Sequence, residues 1–208
     1  MKRETQALTK RGRPAISDDK RRQMRKKIAV ATNALFKEQG YRQISMRRIA
    51  QEVGCSPMTL YKYYDAKIDI LYTLWAGVFE LVFNGVDDIC LEHQSPRQQL
   101  ILLSSAYVGY WLEHTENYRL VFMTEGIEQS DVGLFIRNPD IGARFEIFAI
   151  AIAKATSDAL SDHELAKKGD ALICFLHGIA HNVITISGHS WPSTDYLIEM
   201  AVRGIIDA

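Results

Sequence analysis

Cysteine is scarce in this chain: three residues out of 208, without paired spacing. That excludes a disulfide framework and, with a basic N-terminus lacking an apolar signal segment, leads to the expectation of a reducing, cytoplasmic setting. Long uncharged runs are few. The longest stretch without Lys, Arg, Asp or Glu, from Ala171 to Thr194, contains three His and an Asn. It reads as a buried helix and a loop, not as a membrane span. No segment alternates apolar and polar residues well enough to beat its helical alternative, and no repeat or low-complexity tract occurs. Catalytic patterns are missing as well. There is no G-x-S-x-G, no glycine-rich phosphate loop and no complete metal-ligand set, so no enzyme and no cofactor are expected. His177 and His181 lie four apart, but without the Glu of H-E-x-x-H two histidines do not make a metal site.

What is present is ordinary globular composition with an uneven distribution of charge. Hydrophobic residues make up 47% and charged residues 24% of the chain, enough apolar content to bury a core. The net charge of zero hides a polarity: residues 1–64 hold 16 Lys+Arg and 5 Asp+Glu, while residues 65–208 hold 9 and 20. The basic third suits a polyanion, and the acidic remainder would be repelled by one.

Residues 1–16 read as a flexible basic arm, because Arg11-Gly12-Arg13-Pro14 cannot continue a helix through its proline. Ser17 is a candidate cap for a helix carrying Met24, Ile28, Ala31 and Leu35 at helical spacing, with Gly40 as its stop. From Ile44 to Lys67 the pattern predicts two short helices. Ser45 caps the first, in which Ile49, Ala50 and Val53 face inward, and Gly54 ends it in a turn that needs positive φ. Ser56 caps the second, with Pro57 at its first position and Leu60 and Tyr64 on its inner face. Two short helices around a glycine-containing turn are a helix-turn-helix signature. Beyond Asp65, a candidate cap, helices are predicted to about Cys90, from Ser95-Pro96 through Trp111, around Tyr118 to Met123, over 139–160, over 162–187 and over 193–206. Residues 125–138 read as irregular. The expectation is an all-α chain of about nine helices, with an arm (1–16), a three-helix DNA-binding domain (17–64) and a helical effector-binding and dimerisation domain (65–208).

Between Ile44 and Leu71 the chain resembles the DNA-binding domain of the TetR family of transcriptional regulators. Ser45, Arg47, Ile49, Ala50, Gly54, Ser56, Thr59, Leu60, Tyr61, Tyr63, Lys67, Ile70 and Leu71 stand in that family's order and spacing. Cys55, Tyr64 and Ile68 depart from its usual choices without disturbing the motif. In helix-turn-helix readers the second helix enters the major groove N-terminus first. That geometry puts Pro57, Met58, Thr59 and Lys62 nearest the bases, with Lys62 able to donate to guanine and Met58 and Thr59 able to meet a thymine methyl. The resemblance adds Arg47 as a base or phosphate contact, and Tyr61, Tyr63 and Lys67 as phosphate contacts. Ser45 and Ser56 sit at helix N-termini, which favour phosphate. Arg11-Gly12-Arg13 resembles an AT-hook core, so Arg11 and Arg13 are candidates for a narrow minor groove.

For the acidic remainder the resemblance implies a homodimer and a small-molecule pocket. The dimer contact falls on the last two long helices, with Ile173, Leu176, His177, Ala180, His181, Ile184, Leu197, Met200 and Ala201 as candidates. The pocket candidates are Trp75, Phe79, Phe83, Tyr107, Tyr110, Trp111, His114, Phe122, Phe145 and Phe148, whose rings suit an apolar or aromatic effector. The function so implied is a dimeric, ligand-released repressor on a palindromic operator, cytoplasmic and nucleoid-associated. The competing expectation is a DNA-bound scaffold whose C-terminal helices hold a protein partner.

Overall fold

The structure, a computed structural model, describes residues 18–87, 94–136, 138–156 and 159–207. The candidate arm, with Arg11 and Arg13, and the Ser17 cap lie outside them. The described residues form ten α-helices and one 3-10 turn, against about nine helices expected.

Three helices build the N-terminal head: α1 (Asp18–Gln39), α2 (Met46–Val53) and α3 (Pro57–Leu60), with the 3-10 turn at Tyr41–Gln43 between α1 and α2. Ile28, Leu35, Ile49, Ala50, Val53, Leu60 and Tyr64 are buried together at its centre. The local signals act as expected. Ser45 Oγ accepts from the Arg48 amide at 3.2 Å and Ser56 Oγ from the Thr59 amide at 3.1 Å. Gly54 ends α2 at φ 74°, in the left-handed region that disfavours any side chain. The second motif helix is shorter than its sequence suggests: α3 is four residues, continued by turns through Tyr63.

Seven helices follow: α4 (Lys67–Asp87), α5 (Pro96–Glu113), α6 (Thr115–Phe122), α7 (Gln129–Ile136), α8 (Pro139–Ala155), α9 (Asp162–Thr185) and α10 (Thr194–Ile206). Ser95, Asn138, Ser161 and Ser193 cap α5, α8, α9 and α10, and Ser161 forms a reciprocal capping box with Glu164. α5 runs through the middle, against α4, α8, α9 and α10. α4 is long and apolar enough to cross a membrane by composition alone. Here its stripe of Leu71, Trp75, Val78, Phe79, Val82 and Phe83 is buried in the bundle, as befits a core helix.

Three boundaries differ from expectation. Asp65 does not cap α4; instead the Asp69 carboxylate accepts from the Ala66 amide at 2.7 Å. Helix α8 stops at Ala155 instead of continuing to residue 160, with the Thr156 hydroxyl donating to the Ile152 carbonyl at 3.0 Å. Part of the segment read as irregular is helical, because Phe135 of α7 is seated among Tyr72, Trp75 and Phe79 with ring centroids 5.1–5.9 Å apart. Tertiary packing overrides the weak helix propensity of a short stretch bearing Gly133.

Candidate DNA interface and effector cavity

The exposed side of the head gathers most of the expected contacts. Arg47, Pro57, Met58, Tyr61 and Lys62 are exposed, Met58 and Tyr61 by 76% and 51% despite their apolar bulk. Arg47 and Lys62 make no ion pair among the described residues, whereas Arg48 pairs with Glu52 at 2.8 Å along its own helix. Ser45 and Ser56 are exposed caps; Ser56 also shares a 2.9 Å hydrogen bond with the Thr59 hydroxyl. Tyr63 is half-buried against the core. Lys67 departs most from its expected phosphate contact. Its ammonium donates to the Tyr41 and Ile44 carbonyls at 2.5 and 2.8 Å and lies 3.9 Å from the centroid of the Tyr41 ring. Burial lowers its pKa from the usual lysine value. Lys67 therefore fastens α4 to the 3-10 turn of the head.

A cavity of about 710 Å³ opens among α4, α6, α7, α8 and α9. Five of the ten pocket candidates line it: Trp75, Phe79, Phe122, Phe145 and Phe148. The other five do not. Phe83, Tyr107 and Trp111 are buried in the surrounding core, Tyr110 is half-buried with its hydroxyl accepting from Asn117 at 2.8 Å, and His114 is exposed between α5 and α6. Sequence reasoning missed a row on α9 that lines the cavity: Ala166, Gly169, Asp170, Ile173 and His177. Their spacing of three and four was the available signal.

His177 was expected at a dimer contact but faces this cavity. Its Nε2 shares a 2.8 Å hydrogen bond with the Tyr107 hydroxyl, and its ring packs edge-on against Phe122 at 4.6 Å. Burial pushes its pKa down from 6.5 to about 4 and raises that of Tyr107. A neutral folded imidazole has a sign for stability. Between these two values the unfolded chain binds the proton and the folded chain does not, so stability is complete above pH 6.5 and falls as the pH drops toward 4. Lowering the pH from 7 to 5 should cost about 2 kcal/mol through this group. Urea unfolding at both pH values checks this, and His177→Gln should remove most of the difference.

A second concavity, an apolar groove of about 460 Å³, runs along the outer side of α9 and α10. Phe175 and Met200, which line it, are exposed by 49% and 48%. Of the dimer candidates, only Leu197, Met200 and Ala201 line this groove. Leu176 and Ala180 are fully buried inside the subunit, Ile173 and His177 line the cavity, and Ile184 is half-buried against the core. His181 is exposed and shares a 3.3 Å hydrogen bond with the Tyr118 hydroxyl. Ile179 and Val183, apolar residues of the same uncharged run, also line the groove, and the outer-face residues missed are Cys174, Phe175 and Gly178. Among the described residues no group of three metal-ligating side chains occurs.

Head and cavity share structural members. Trp75 Nε1 donates to the Leu120 carbonyl of α6 at 2.9 Å, and the Tyr72 hydroxyl to the Asp131 carbonyl of α7 at 2.8 Å. Lys37 at the end of α1 is ion-paired with Glu116 of α6. These contacts tie α6 to both α4 and α1, and α7 to α4.

Residues 28–72, the segment holding α2, α3 and the start of α4, match the family model of bacterial regulatory proteins of the tetR family. That segment of the chain carries the DNA-binding domain of the TetR family. It is 22% identical over 152 residues to the transcriptional activator FasR of Mycolicibacterium smegmatis, covering 73% of this chain and 64% of FasR. It is 31% identical over 98 residues to the transcriptional repressor KstR of Rhodococcus jostii, covering 47% of this chain and 46% of KstR. The chain thus spans just under two thirds and just under half of the lengths of these curated relatives. Both relatives are regulators and not enzymes. The fold is that of Thermus thermophilus FadR, a TetR-family repressor solved with lauroyl-CoA, at a TM-score of 0.63 and 15% identity over 87% of this chain and 92% of that one.

Proposed function

We propose that this chain is a TetR-family, ligand-responsive transcriptional repressor, cytoplasmic and nucleoid-associated, that binds a palindromic operator as a homodimer. The observation that carries the reading is the exposed face of α3: Met58 and Tyr61 stand bare beside Arg47 and Lys62 on a head whose sequence is strongly basic. Large apolar groups left in water next to uncommitted cations suit a groove of DNA, where methyl groups and phosphates meet both. The apolar groove on α9 and α10 supports pairing with a second copy, which would set two heads on half-sites about 34–36 Å apart.

The effector would enter the aromatic cavity. To release DNA it must bind better to a conformer with wrongly spaced heads than to the DNA-binding one. Trp75–Leu120, Tyr72–Asp131 and Lys37–Glu116 supply the mechanical route from cavity to head. The relatives include an activator, FasR, and a repressor, KstR; on this reading the sign of regulation would follow from where the operator lies relative to the promoter.

Selection of DNA from a random pool at physiological salt, with Arg47→Ala in parallel, tests the reading. A palindrome with half-sites about one turn apart is expected, and its absence, with binding that vanishes as salt rises, would refute it. On the selected site Lys62→Ala should weaken binding by about 1–3 kcal/mol and relax preference at one base pair. A uniform loss across sequences would make Lys62 a phosphate contact instead.

A further inference from the structure

The cavity's walls and its rim differ in chemistry. Its interior is built by rings and aliphatic groups such as Trp75, Phe79, Phe145 and Ile173, but two lining residues are carboxylates, Glu146 on α8 and Asp170 on α9. Both are exposed, so they stand where the cavity meets solvent. The cavity's lining includes no Lys or Arg among the described residues. Three basic residues of the same helices are engaged elsewhere. Arg144 is held by Asp87 at 3.2 Å and Asn84 at 3.3 Å, Lys168 donates to the Ile205 carbonyl at 2.5 Å, and Arg119 lines the cleft beside the 3-10 turn. The polar group deepest in the lining is His177, tied to Tyr107.

We infer that the effector is a lipophilic cation: an apolar body filling the cavity, with an ammonium or similar positive group held at the rim by Glu146 and Asp170. The inference rests on the reading of this cavity as an effector site, and it names the effector's class. The alternative that the fold suggests is an acyl thioester, since lauroyl-CoA occupies the FadR neighbour. A carboxylate or a phosphate-bearing headgroup would bring like charge against two carboxylates with no described basic partner in the lining, an arrangement that costs affinity. A cation gains from the same two charges, and gains more at low salt.

Three probes of equal chain length separate the classes: decylamine, decanol and decanoate, each kept below the concentration at which it self-associates. Binding is read by calorimetry on the full chain at pH 7, and release of the selected operator is read in parallel. Decylamine should bind about tenfold tighter than decanol, with decanoate weakest, because the rim carboxylates attract an ammonium and repel a carboxylate in a partly aqueous setting. The double variant Glu146→Gln/Asp170→Asn changes only exposed side chains. It should bring decylamine down to the affinity of decanol and leave decanol unchanged. Decanoate binding as well as decylamine, or an amine advantage that survives the double variant, would overturn the charge assignment while leaving the effector reading intact. Binding of none of the three would overturn both.

Discussion

Phe175→Asp is expected to leave the chain folded but monomeric, and to lower its affinity for a two-half-site operator about 100-fold or more. Phe175 is half exposed on α9 and lines the apolar groove with Leu197, Met200 and Ala201 of α10. It supports no part of the subunit's own core, so the substitution should cost little stability within one subunit. Across a two-fold contact the same residue meets its own copy or a near neighbour, so one substitution places two carboxylates in one apolar seam. A monomer retains the contacts of one head only, and single-head binding sits close to the non-specific level, which is typically about 10³ or more weaker than specific binding. Sedimentation velocity reads the assembly and fluorescence anisotropy reads the operator. A Phe175→Asp protein that stays dimeric would move the interface off this groove.

Phe79→Ala should produce the largest loss of stability, about 3–5 kcal/mol. The Phe79 ring is 6% exposed and stands within 5.9–6.4 Å of Phe83, Trp111, Phe122, Phe135 and Phe145, so it joins α4, α5, α6, α7 and α8. The cavity beside it gives the neighbours little to collapse onto, which places the cost in the upper part of the range for such truncations. Phe122→Ala is the comparison: that ring is 40% exposed, and its loss should cost about 1 kcal/mol. Urea midpoints of the two variants give the difference. Equal losses would mean that the aromatic cluster does not depend on Phe79. The same truncation enlarges the cavity, so the surviving protein should accept bulkier apolar probes than its parent.

How much of this was legible beforehand differs by residue. The caps Ser45, Ser56, Ser95 and Ser193 act through atoms three residues away, so their roles could be read from spacing alone. Gly54 is similar, because the turn it closes is local. Lys67 shows the opposite. Its place in the motif was clear, but whether its ammonium met solvent depended on Tyr41 and Ile44, 26 and 23 residues earlier, presenting their carbonyls to it. Helix α7 was unreadable for a related reason: its anchor, Phe135, has meaning only against Tyr72 and Trp75, contributed by α4.

The sharpest division falls on α9. Periodicity and the missing charges made a long apolar helix there evident from composition alone. A helix apolar on most sides, however, has no unique inward direction, so its pattern does not say which residue meets which neighbour. The packed bundle decides this. Leu172, Leu176 and Ala180 face the core, Gly169, Ile173 and His177 face the cavity, and Phe175, Gly178 and Ile179 face outward. The sequence alone therefore determined the reading head, the polarity of charge and most helix ends, because all are set by neighbours in the chain. Only the tertiary structure decided which apolar residues became core, cavity or groove, because that choice belongs to the helices packed around them.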